Sequence, residues 1–327
     1  MRAAICPRYG EPEVVEIREV PPPELSEGQV RVGVEAAAVN FPDVLFIANR
    51  YQMTVDPPFV PGSEFCGVVT EAGPGGAGPA VGERVFGSTT VGAFAEQVAV
   101  PATSVTAVPD GVGAADAAAF GVAHRTAYHV LRSVAELRPG QELVVLGAGG
   151  GVGLAAVQLG RHMGARVTAV ASTDEKLAVA GEEGATNLVN HRAADLRAAL
   201  KEYLPGGADV VVDPVGGELS EPALRALHWG GRFVTVGYAA GEIPRIPLNL
   251  VLLKGVHILG FQFRDFATHA AADMARNEAE LLALLAGGRV RPHIGARFPL
   301  DRAADALRYV ADGRAVGKVV LEVASSQ

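Results

Sequence analysis

The first third of the chain places hydrophobic residues in short runs, some of them alternating with polar positions. The predicted strands in this part are residues 30–34, 67–71, 82–86 and 94–100. Clusters of proline and glycine separate them, as at residues 21–23 and 73–79. Short strands divided by turn residues predict a closed or partly open β-barrel.

The pattern changes near Gly111, where residues 114–120 and 126–133 have helical character. Beyond them, apolar strands alternate with helical stretches. The predicted strands are 142–146, 166–170, 188–190, 210–213, 232–237 and 257–261. The predicted helices between them are 154–160, 174–183, 195–203 and 222–227, and the tail adds helices 275–286 and 301–311 and a strand at 318–323. This alternation predicts parallel βαβ units with both faces of the sheet covered.

Residues 143–153 read LVVLGAGGGVG, so a buried strand turns through glycines directly into a helix. A pyrophosphate bound at a helix N-terminus needs this arrangement, because a Cβ in the turn would obstruct the backbone N–H groups. We expect Gly150, Gly151 and Val152 to bind a dinucleotide, and Gly153 to let the helix pack on the strand. The alternative is a glycine-rich turn of some other α/β protein.

The second strand of this unit ends at Ala171 and Ser172, where NAD-binding proteins carry an acidic residue for the ribose 2′-hydroxyl. Ser172 can donate to a 2′-phosphate, and Lys176 can supply positive charge. These two residues predict NADPH rather than NADH. Asp174 and Glu175 lie nearby and argue the other way, and Lys176 could also be an ordinary solvated helix lysine.

Composition limits the classes of protein further. The 327 residues suffice for two domains, and the net charge of −8 disfavours nucleic acid and anionic membranes as partners. No apolar run approaches the roughly 18 residues of a membrane span, and no signal-peptide core is present. Cys6 and Cys66 are the only cysteines. We therefore expect a cytoplasmic protein with two reduced thiols.

The chain resembles the medium-chain dehydrogenase/reductase superfamily, and within it the zinc-independent NADPH:quinone oxidoreductases. The resemblance covers essentially the whole length and rests on six segments, which are VNFPD at 39–43, PGSEF at 61–65, GERV at 82–85, LGAGGGVG at 146–153, DPVGG at 213–217 and GKVV at 317–320. It implies an α/β fold with a GroES-like β-barrel catalytic domain at residues 1–117, completed by 262–327. A Rossmann domain with a doubly wound parallel sheet would span 118–261, with the active-site cleft between the two.

Zinc-dependent alcohol dehydrogenases of this superfamily carry a cysteine ligand where this chain has Asn40. They carry a histidine ligand where it has Ser63, so only Glu64 remains of that cluster. Two cysteines also cannot build a four-cysteine zinc lobe. We therefore expect no metal. The expected reaction is hydride transfer from NADPH to an already electrophilic acceptor, a quinone or an α,β-unsaturated carbonyl.

The resemblance also assigns two catalytic positions. Asn40 would lie near the nicotinamide or the substrate carbonyl, where its amide could bind developing negative charge. The alternative is an asparagine that closes a turn at a strand end. Tyr51 corresponds to an active-site tyrosine that could donate a hydrogen bond or a proton. It could equally be an aromatic wall without acid chemistry, with water protonating the product.

Further cofactor contacts are implied by position in the family. Thr126 would touch the nicotinamide side, although threonine also suits a helix N-cap. Two loops would flank the nicotinamide, one with Gly237 and Tyr238 and one with Phe261 and Phe263, although Phe261 could be a core residue. The remaining two positions are His191, beside the 2′-phosphate where relatives often carry tyrosine, and Lys318, which would reach the cofactor or form a surface salt bridge.

The apolar segment 256–263 ends the predicted strand series and is suited to pair with its copy in another subunit. Because relatives dimerise there, we expect a homodimer or a dimer of dimers that acts on a small-molecule substrate. Two other functions fit the residues. One is an enoyl-thioester reductase, which uses the same hydride geometry, and the other is an NADPH-binding protein with little catalysis.

Overall fold

The chain divides into two compact units in a computed structural model that describes residues 1–75 and 78–323. The first unit comprises Met1–Val122 and Arg291–Gln327, and the second comprises Ala123–Val290. The sequence prediction placed these boundaries at 117/118 and 261/262, so the second unit is longer at its C-terminal end than predicted.

The described strands are, in chain order, β1 (Arg2–Ile5), β2 (Glu16–Glu19), β3 (Gln29–Val39), β4 (Glu64–Ala72), β5 (Arg84–Ser88), β6 (Gln97–Pro101), β7 (Val105–Ala107), β8 (Glu142–Leu146), β9 (Arg166–Ala171), β10 (Asn187–Asn190), β11 (Ala208–Asp213), β12 (Leu227–Thr235), β13 (His257–Gly260), β14 (Ile294–Pro299) and β15 (Lys318–Glu322). The described α-helices are α1 (Phe41–Ile47), α2 (Ala114–His129), α3 (Gly151–His162), α4 (Asp174–Glu182), α5 (Leu196–Tyr203), α6 (Ser220–Arg225), α7 (Leu248–Lys254), α8 (Phe263–His269), α9 (Ala271–Ala286) and α10 (Ala303–Ala311).

The first unit is built around β3, which is long enough to pair with three other strands. Its sheet has the order β14-β15-β3-β4-β5-β7, and β6 pairs with the first half of β3. Inward-facing residues of β3, such as Val30, Val32 and Val34, are buried and belong to one apolar core with Phe65 and Leu321. The predicted barrel-like domain is confirmed in its partly open form, since β14 and β7 remain as edges.

The second unit contains a six-stranded parallel sheet in the order β10-β9-β8-β11-β12-β13. This is the strand order of a Rossmann fold, in which the order reverses between β8 and β11. The central strands are buried on both faces, as the fully buried Val144, Leu146 and Val211 show. The predicted doubly wound sheet is therefore confirmed.

Three predicted helices differ from those in the structure. Residues 114–120 and 126–133 do not form separate helices, because α2 runs through Gly121 and continues into a π-helical turn at Val130–Val134. A Cβ at Gly121 would lie 3.1 Å from Glu64 Oε2, so this glycine permits a close approach and does not end the helix. The predicted helix 222–227 ends at Arg225, because Leu227 already begins β12.

Helix α9 explains why the second unit extends to Val290. Asn277 donates to Nδ1 of the buried His129 at 3.0 Å, and Arg125 donates to Glu278 at 2.7 Å. Leu281 and Leu285 on the same helix are buried. The tail predicted to return to the first domain does so only from Arg291 onward, through β14, β15 and α10.

None of the helices within the described residues combines the length and the apolar character needed to cross a membrane. Cys6 and Cys66 are both buried and unpaired. Burial raises the pKa of the Cys66 thiol to about 12. This thiol therefore stays protonated at neutral pH and is a poor nucleophile.

Candidate active site and cofactor site

A buried polar cluster forms in the first unit where three strands meet. Strand β3 ends at Val39, immediately before Asn40, while β4 begins with Glu64 and β15 begins with Lys318. The antiparallel registers pair Ala38 with Glu64 and Val39 with Val319. Residues far apart in the sequence are thus brought together by ordinary sheet pairing.

The cluster is held by an ion pair and a set of hydrogen bonds. Lys318 Nζ lies 2.5 Å from Glu64 Oε1, and it also donates to Asn40 Oδ1. Asn40 Nδ2 donates to Glu64 Oε1 at 2.9 Å and to Ser63 Oγ at 3.2 Å. The backbone N–H of Val122 donates to Glu64 Oε2 at 2.7 Å. Both carboxylate oxygens of Glu64 and every polar atom of the Asn40 amide are therefore engaged.

Lys318 and Asn40, two of the predicted site residues, both lie inside this cluster. The Lys318 and Glu64 side chains are 4 % and 0 % exposed, so the alternative of a surface salt bridge for Lys318 was wrong. Asn40 does follow a strand end, and it precedes α1 as its N-cap residue. Its amide can donate to developing negative charge on a substrate only if one of the bonds to Glu64 or Ser63 breaks.

Asp43 belongs to the same cluster and was not predicted. Its Oδ2 accepts the backbone N–H of Asn40 at 2.7 Å, whereas its Oδ1 is buried and has no hydrogen-bond partner. Burial raises the pKa of Asp43 to about 7, although hydrogen bonds from Asn40 and Ser63 act to lower it. The signal in the sequence was its spacing, because an acidic residue three positions after an N-cap commonly binds the N-cap backbone.

Tyr51 lies partly buried against the apolar core of the first unit. Its ring packs on Phe46 with the ring centroids 4.5 Å apart and the planes inclined by 46°. This contact is compatible with an aromatic wall and does not test whether the hydroxyl acts as a donor. The catalytic role of Tyr51 stays a prediction.

The glycine-rich turn in the second unit follows β8, where the strand order reverses. Gly147 has a φ of 62°, and a Cβ at Gly153 would lie 2.1 Å from the Gly147 carbonyl oxygen. The expectation that Gly153 permits close packing is therefore confirmed. Gly150 is the N-cap of α3, followed by Gly151 and Val152 in its first turn. Because the first N–H groups of a helix have no intrahelical partner and Gly150 offers no capping side chain, the turn fits a pyrophosphate.

Basic side chains gather beside this turn. The stem of Lys176 lies against Gly149, since a Cβ there would be 2.5 Å from Lys176 Cβ. Burial and the charge of Arg192 lower the pKa of Lys176, and the same two causes lower the pKa of His191. Lys176, His191 and Arg192 thus lie within electrostatic reach of one another, and we call them the basic cluster. The prediction overlooked Arg192, although its position directly after His191 was a signal.

Asp174, one of the two acidic residues that argued against NADPH, has a structural role. Asp174 opens α4, and its Oδ1 accepts a hydrogen bond from Asn190 at 2.7 Å. Thr173 caps the same helix through the backbone N–H of Lys176. Ser172 lies between the end of β9 and this cap and is partly exposed. The end of β9 therefore presents a hydroxyl, while the nearby Asp174 carboxylate binds β10.

Thr126 lies in the interior of α2 and is buried, so the alternative of an N-cap was wrong. One turn further along, the buried His129 contacts an aromatic group made of Phe261, Phe263 and Phe266. The centroid distances from its ring are 6.1, 5.6 and 4.9 Å, respectively. The segment from Phe261 to Phe263, the first residue of α8, is thus supported by a polar residue, and Phe261 is only partly buried.

The loop that carries Gly237 and Tyr238 packs on the segment after β11. A Cβ at Gly216, where φ is 72°, would lie 2.8 Å from the Tyr238 ring. Asp213 holds that segment, because its Oδ1 accepts the N–H groups of Val215 and Gly216, each at 2.8 Å. The sequence motif at 213–217 is therefore a turn held by hydrogen bonds from its own backbone to Asp213, and the Tyr238 ring packs against it.

Comparison with known proteins agrees with this architecture. A family model described as "Alcohol dehydrogenase GroES-like domain" matches residues 26–110, and one described as "Zinc-binding dehydrogenase" matches residues 151–280. The chain is 35% identical over 324 residues to the Bos taurus "Quinone oxidoreductase-like protein 2", covering 98% of this chain and 92% of that protein. A segment of "Polyketide synthase GfsB" of Streptomyces halstedii is 37% identical over 302 residues, which cover 91% of this chain and 5% of the synthase.

Solved structures give the same result. The crystal structure of Escherichia coli quinone oxidoreductase complexed with NADPH superposes with a TM-score of 0.92 at 26% identity, covering 98% of this chain and 100% of that one. These relatives match over nearly the whole chain, in sequence and in fold. This chain therefore belongs to the quinone oxidoreductase family of the medium-chain dehydrogenase/reductase superfamily.

Proposed function

We propose that this protein is a metal-independent oxidoreductase that uses NADPH to reduce a quinone or an α,β-unsaturated carbonyl. The observation that carries the proposal is the basic cluster of Lys176, His191 and Arg192 beside the glycine-rich turn. Positive charge at the end of the second and third Rossmann strands favours a 2′-phosphate over a free ribose hydroxyl. The family resemblance and the NADPH complex of the E. coli relative support the same cofactor.

Each part of the second unit has a task in this proposal. The N-terminus of α3, with Gly150, Gly151 and Val152, would hold the pyrophosphate through backbone N–H groups. Ser172 and the basic cluster would hold the 2′-phosphate. The residues assigned to the nicotinamide end are Thr126, Gly237, Tyr238, Phe261 and Phe263. Bound NADPH would supply the hydride.

Asn40 and Tyr51 are the proposed active-site residues of the first unit. The bonds of Asn40 to Glu64, Ser63 and Lys318 support a fixed amide, which would orient the reactants by shape and polarity. Tyr51 would donate a hydrogen bond or a proton to the reduced oxygen. A conjugated acceptor needs little further activation, because its own π-system spreads the charge that arrives with the hydride.

The acceptor class is tested by initial rates with NADPH and NADH, each with 1,4-benzoquinone and with crotonyl-CoA. We expect faster turnover with NADPH than with NADH, and faster turnover of the quinone than of the thioester. The similarity to a segment of a polyketide synthase keeps the enoyl-thioester reductase as the second candidate. Preferred turnover of crotonyl-CoA would establish that candidate, and no NADPH oxidation with either acceptor would contradict both.

We also propose a homodimer formed through β13. This strand is an edge of the Rossmann sheet, and Ile258 on it is 40% exposed. Trp229, Leu248 and Leu252 from the neighbouring β12 and α7 are exposed by 75%, 78% and 78%. An edge strand beside so much exposed apolar surface is suited to pair with a second copy. Light scattering after size-exclusion chromatography should show a dimer for the parent protein and a monomer for Ile258→Lys.

A further inference from the structure

The buried cluster in the first unit contains one anion and one cation at its centre. Glu64 and Lys318 lie 2.5 Å apart at Oε1 and Nζ, with side chains 0 % and 4 % exposed. Neither charge has access to water, so each depends on the other. Removing one partner of such a pair leaves an uncompensated buried charge, whereas replacing both by neutral groups is often tolerated.

The cluster occupies the positions at which zinc-dependent members of the superfamily bind their catalytic metal, and the matched family description includes zinc. The groups present here do not suit that ion. Zinc prefers thiolate and imidazole ligands, whereas Asn40 and Ser63 offer an amide and a hydroxyl. The Asn40 and Glu64 oxygens that could bind a cation already accept hydrogen bonds from Lys318 Nζ.

We propose that the Lys318 ammonium is the resident cation of this site and takes the place that a catalytic metal would need. It neutralises Glu64 and, through Asn40 Oδ1, fixes the amide of Asn40. A second cation would meet like-charge repulsion from Lys318 and would find the Asn40 and Glu64 oxygens occupied. This inference concerns charge and metal exclusion, and it stands whatever the electron acceptor is.

A double-mutant cycle tests the charge compensation. Lys318→Met should lower Tm by about 10 °C, because it leaves the Glu64 carboxylate buried without a cation. The double variant Lys318→Met/Glu64→Gln should recover at least half of that loss, since the buried charge is gone. Lys201→Met, at an exposed lysine of α5, is the matched control and should leave Tm unchanged.

If Lys318→Met is insoluble, the comparison is made between its solubility and that of the double variant. A soluble double variant would support the proposal, because only the neutralised site then folds. The proposal fails if the double variant is as unstable or as insoluble as Lys318→Met. It also fails if Lys318→Met is as stable as the parent protein.

Metal exclusion is tested separately with zinc chloride and the EDTA-treated parent protein. Zinc should cause no rise in Tm that depends on Glu64, so the parent protein and the double variant Lys318→Met/Glu64→Gln, which has no buried charge, should respond alike. A zinc-dependent stabilisation of the parent protein that is absent from the double variant would overturn the inference. Both readouts are independent of turnover, so they remain informative if the proposed quinone reduction is wrong.

Discussion

The side-chain stem of Lys176 lies against Gly149, so closely that a Cβ at position 149 would be 2.5 Å from both Cβ and Cγ of the lysine. The contact joins the glycine-rich turn, assigned to the pyrophosphate, to the residue assigned to the 2′-phosphate. The absence of a side chain at position 149 therefore leaves room for the side-chain stem of Lys176 beside the turn. The choice between the two nicotinamide cofactors should depend on both residues.

Gly149→Ala should displace Lys176 and raise KM for NADPH about tenfold, with KM for NADH nearly unchanged. The expected size corresponds to about 1.4 kcal/mol, slightly less than a typical hydrogen bond to a charged group. Lys176→Gln should reproduce the effect, and Lys201→Gln on the exposed face of α5 is the matched control. Equal increases in KM for NADPH and NADH would contradict the assignment.

Gly153→Ala tests the packing of α3 on the turn. Its Cβ would lie 2.1 Å from the Gly147 carbonyl oxygen and 2.8 Å from Ala148 Cα, and these backbone atoms cannot rotate away. We expect a loss of about 1–3 kcal/mol in the free energy of unfolding, as for other overpacked sites, and weaker binding of either cofactor. Gly113→Ala is the control, because nothing lies within 4 Å of its added Cβ. Chemical denaturation measures the free energy of unfolding of Gly153→Ala and of Gly113→Ala. Similar values for the two variants would contradict the predicted steric clash at position 153.

Tyr51 can be tested as a donor by comparing two substitutions. Tyr51→Phe keeps the ring that packs 4.5 Å from Phe46 and removes only the hydroxyl. If the hydroxyl transfers a proton, kcat with 1,4-benzoquinone should fall by about 10²-fold or more. If Tyr51 is only an aromatic wall, Tyr51→Phe should keep the parent kcat and Tyr51→Leu should raise KM for the acceptor. We predict the first outcome.

The hydrogen bond between Asn277 and the buried His129, whose ring contacts three phenylalanines, should contribute to stability. Asn277 donates both amide hydrogens, to His129 Nδ1 at 3.0 Å and to Ser133 Oγ at 2.8 Å, so the proton of His129 is on Nε2 and is donated to Glu278. Asn277→Ala leaves a fully buried ring nitrogen without a partner and should cost about 1–3 kcal/mol. Glu280→Gln, on the same helix but more exposed, should cost less in urea denaturation. The reverse order would show that the burial of these bonds is unimportant.

One ion pair should make stability depend on pH. His228 Nε2 lies 2.9 Å from Asp209 Oδ1, and this hydrogen bond raises the pKa of His228, while the pKa of Asp209 is lowered. A histidine whose pKa is raised in the folded state contributes its full stabilisation of that state below the pKa of the unfolded chain, about 6.5. This contribution is lost as the pH rises through the folded-state pKa.

His228→Gln should therefore lower the free energy of unfolding more at pH 5.5 than at pH 8.5. The expected difference is about 0.2–1 kcal/mol, the contribution of a partly exposed pair. His162→Gln, at an exposed position of α3, should show no such difference. A His228→Gln loss that is the same at both pH values would show that the charge of the imidazole does not contribute.

The sequence was sufficient for features that depend on local pattern. Continuous apolar runs predicted β8 and the central Rossmann strands, because strands buried on both faces need hydrophobic residues at every position. It also predicted the glycine turn, in which Gly147 has a positive φ and Gly149 and Gly153 have no room for a side chain. It failed at α2, where it predicted two separate helical stretches at 114–120 and 126–133. Gly121 between them lies within one helix, and its small size serves an approach to Glu64 that only the folded sheet creates.

Contacts between distant residues were beyond the sequence patterns. Nothing near Lys318 in the sequence indicated that it is buried. Its partner Glu64 was identified only as the one residue that remains of the zinc-ligand cluster of related enzymes. The extent of the second unit was missed for the same reason, because the bonds from α9 to Arg125 and His129 have no periodic signature. Asp43 was recoverable from its spacing, but the spacing does not indicate that the folded chain buries it almost completely.

The 254 positions that separate Glu64 from Lys318 bear on how the chain folds during synthesis. Strand β15 supplies both a sheet neighbour for β3 and the lysine for the cluster, and it is made after the entire Rossmann unit. The first unit therefore cannot complete its sheet when its own N-terminal segment leaves the ribosome. The Glu64 carboxylate stays solvated until β15 has been synthesised. Such non-local pairing slows folding, and the Rossmann unit, which is continuous in sequence, should reach its native form first.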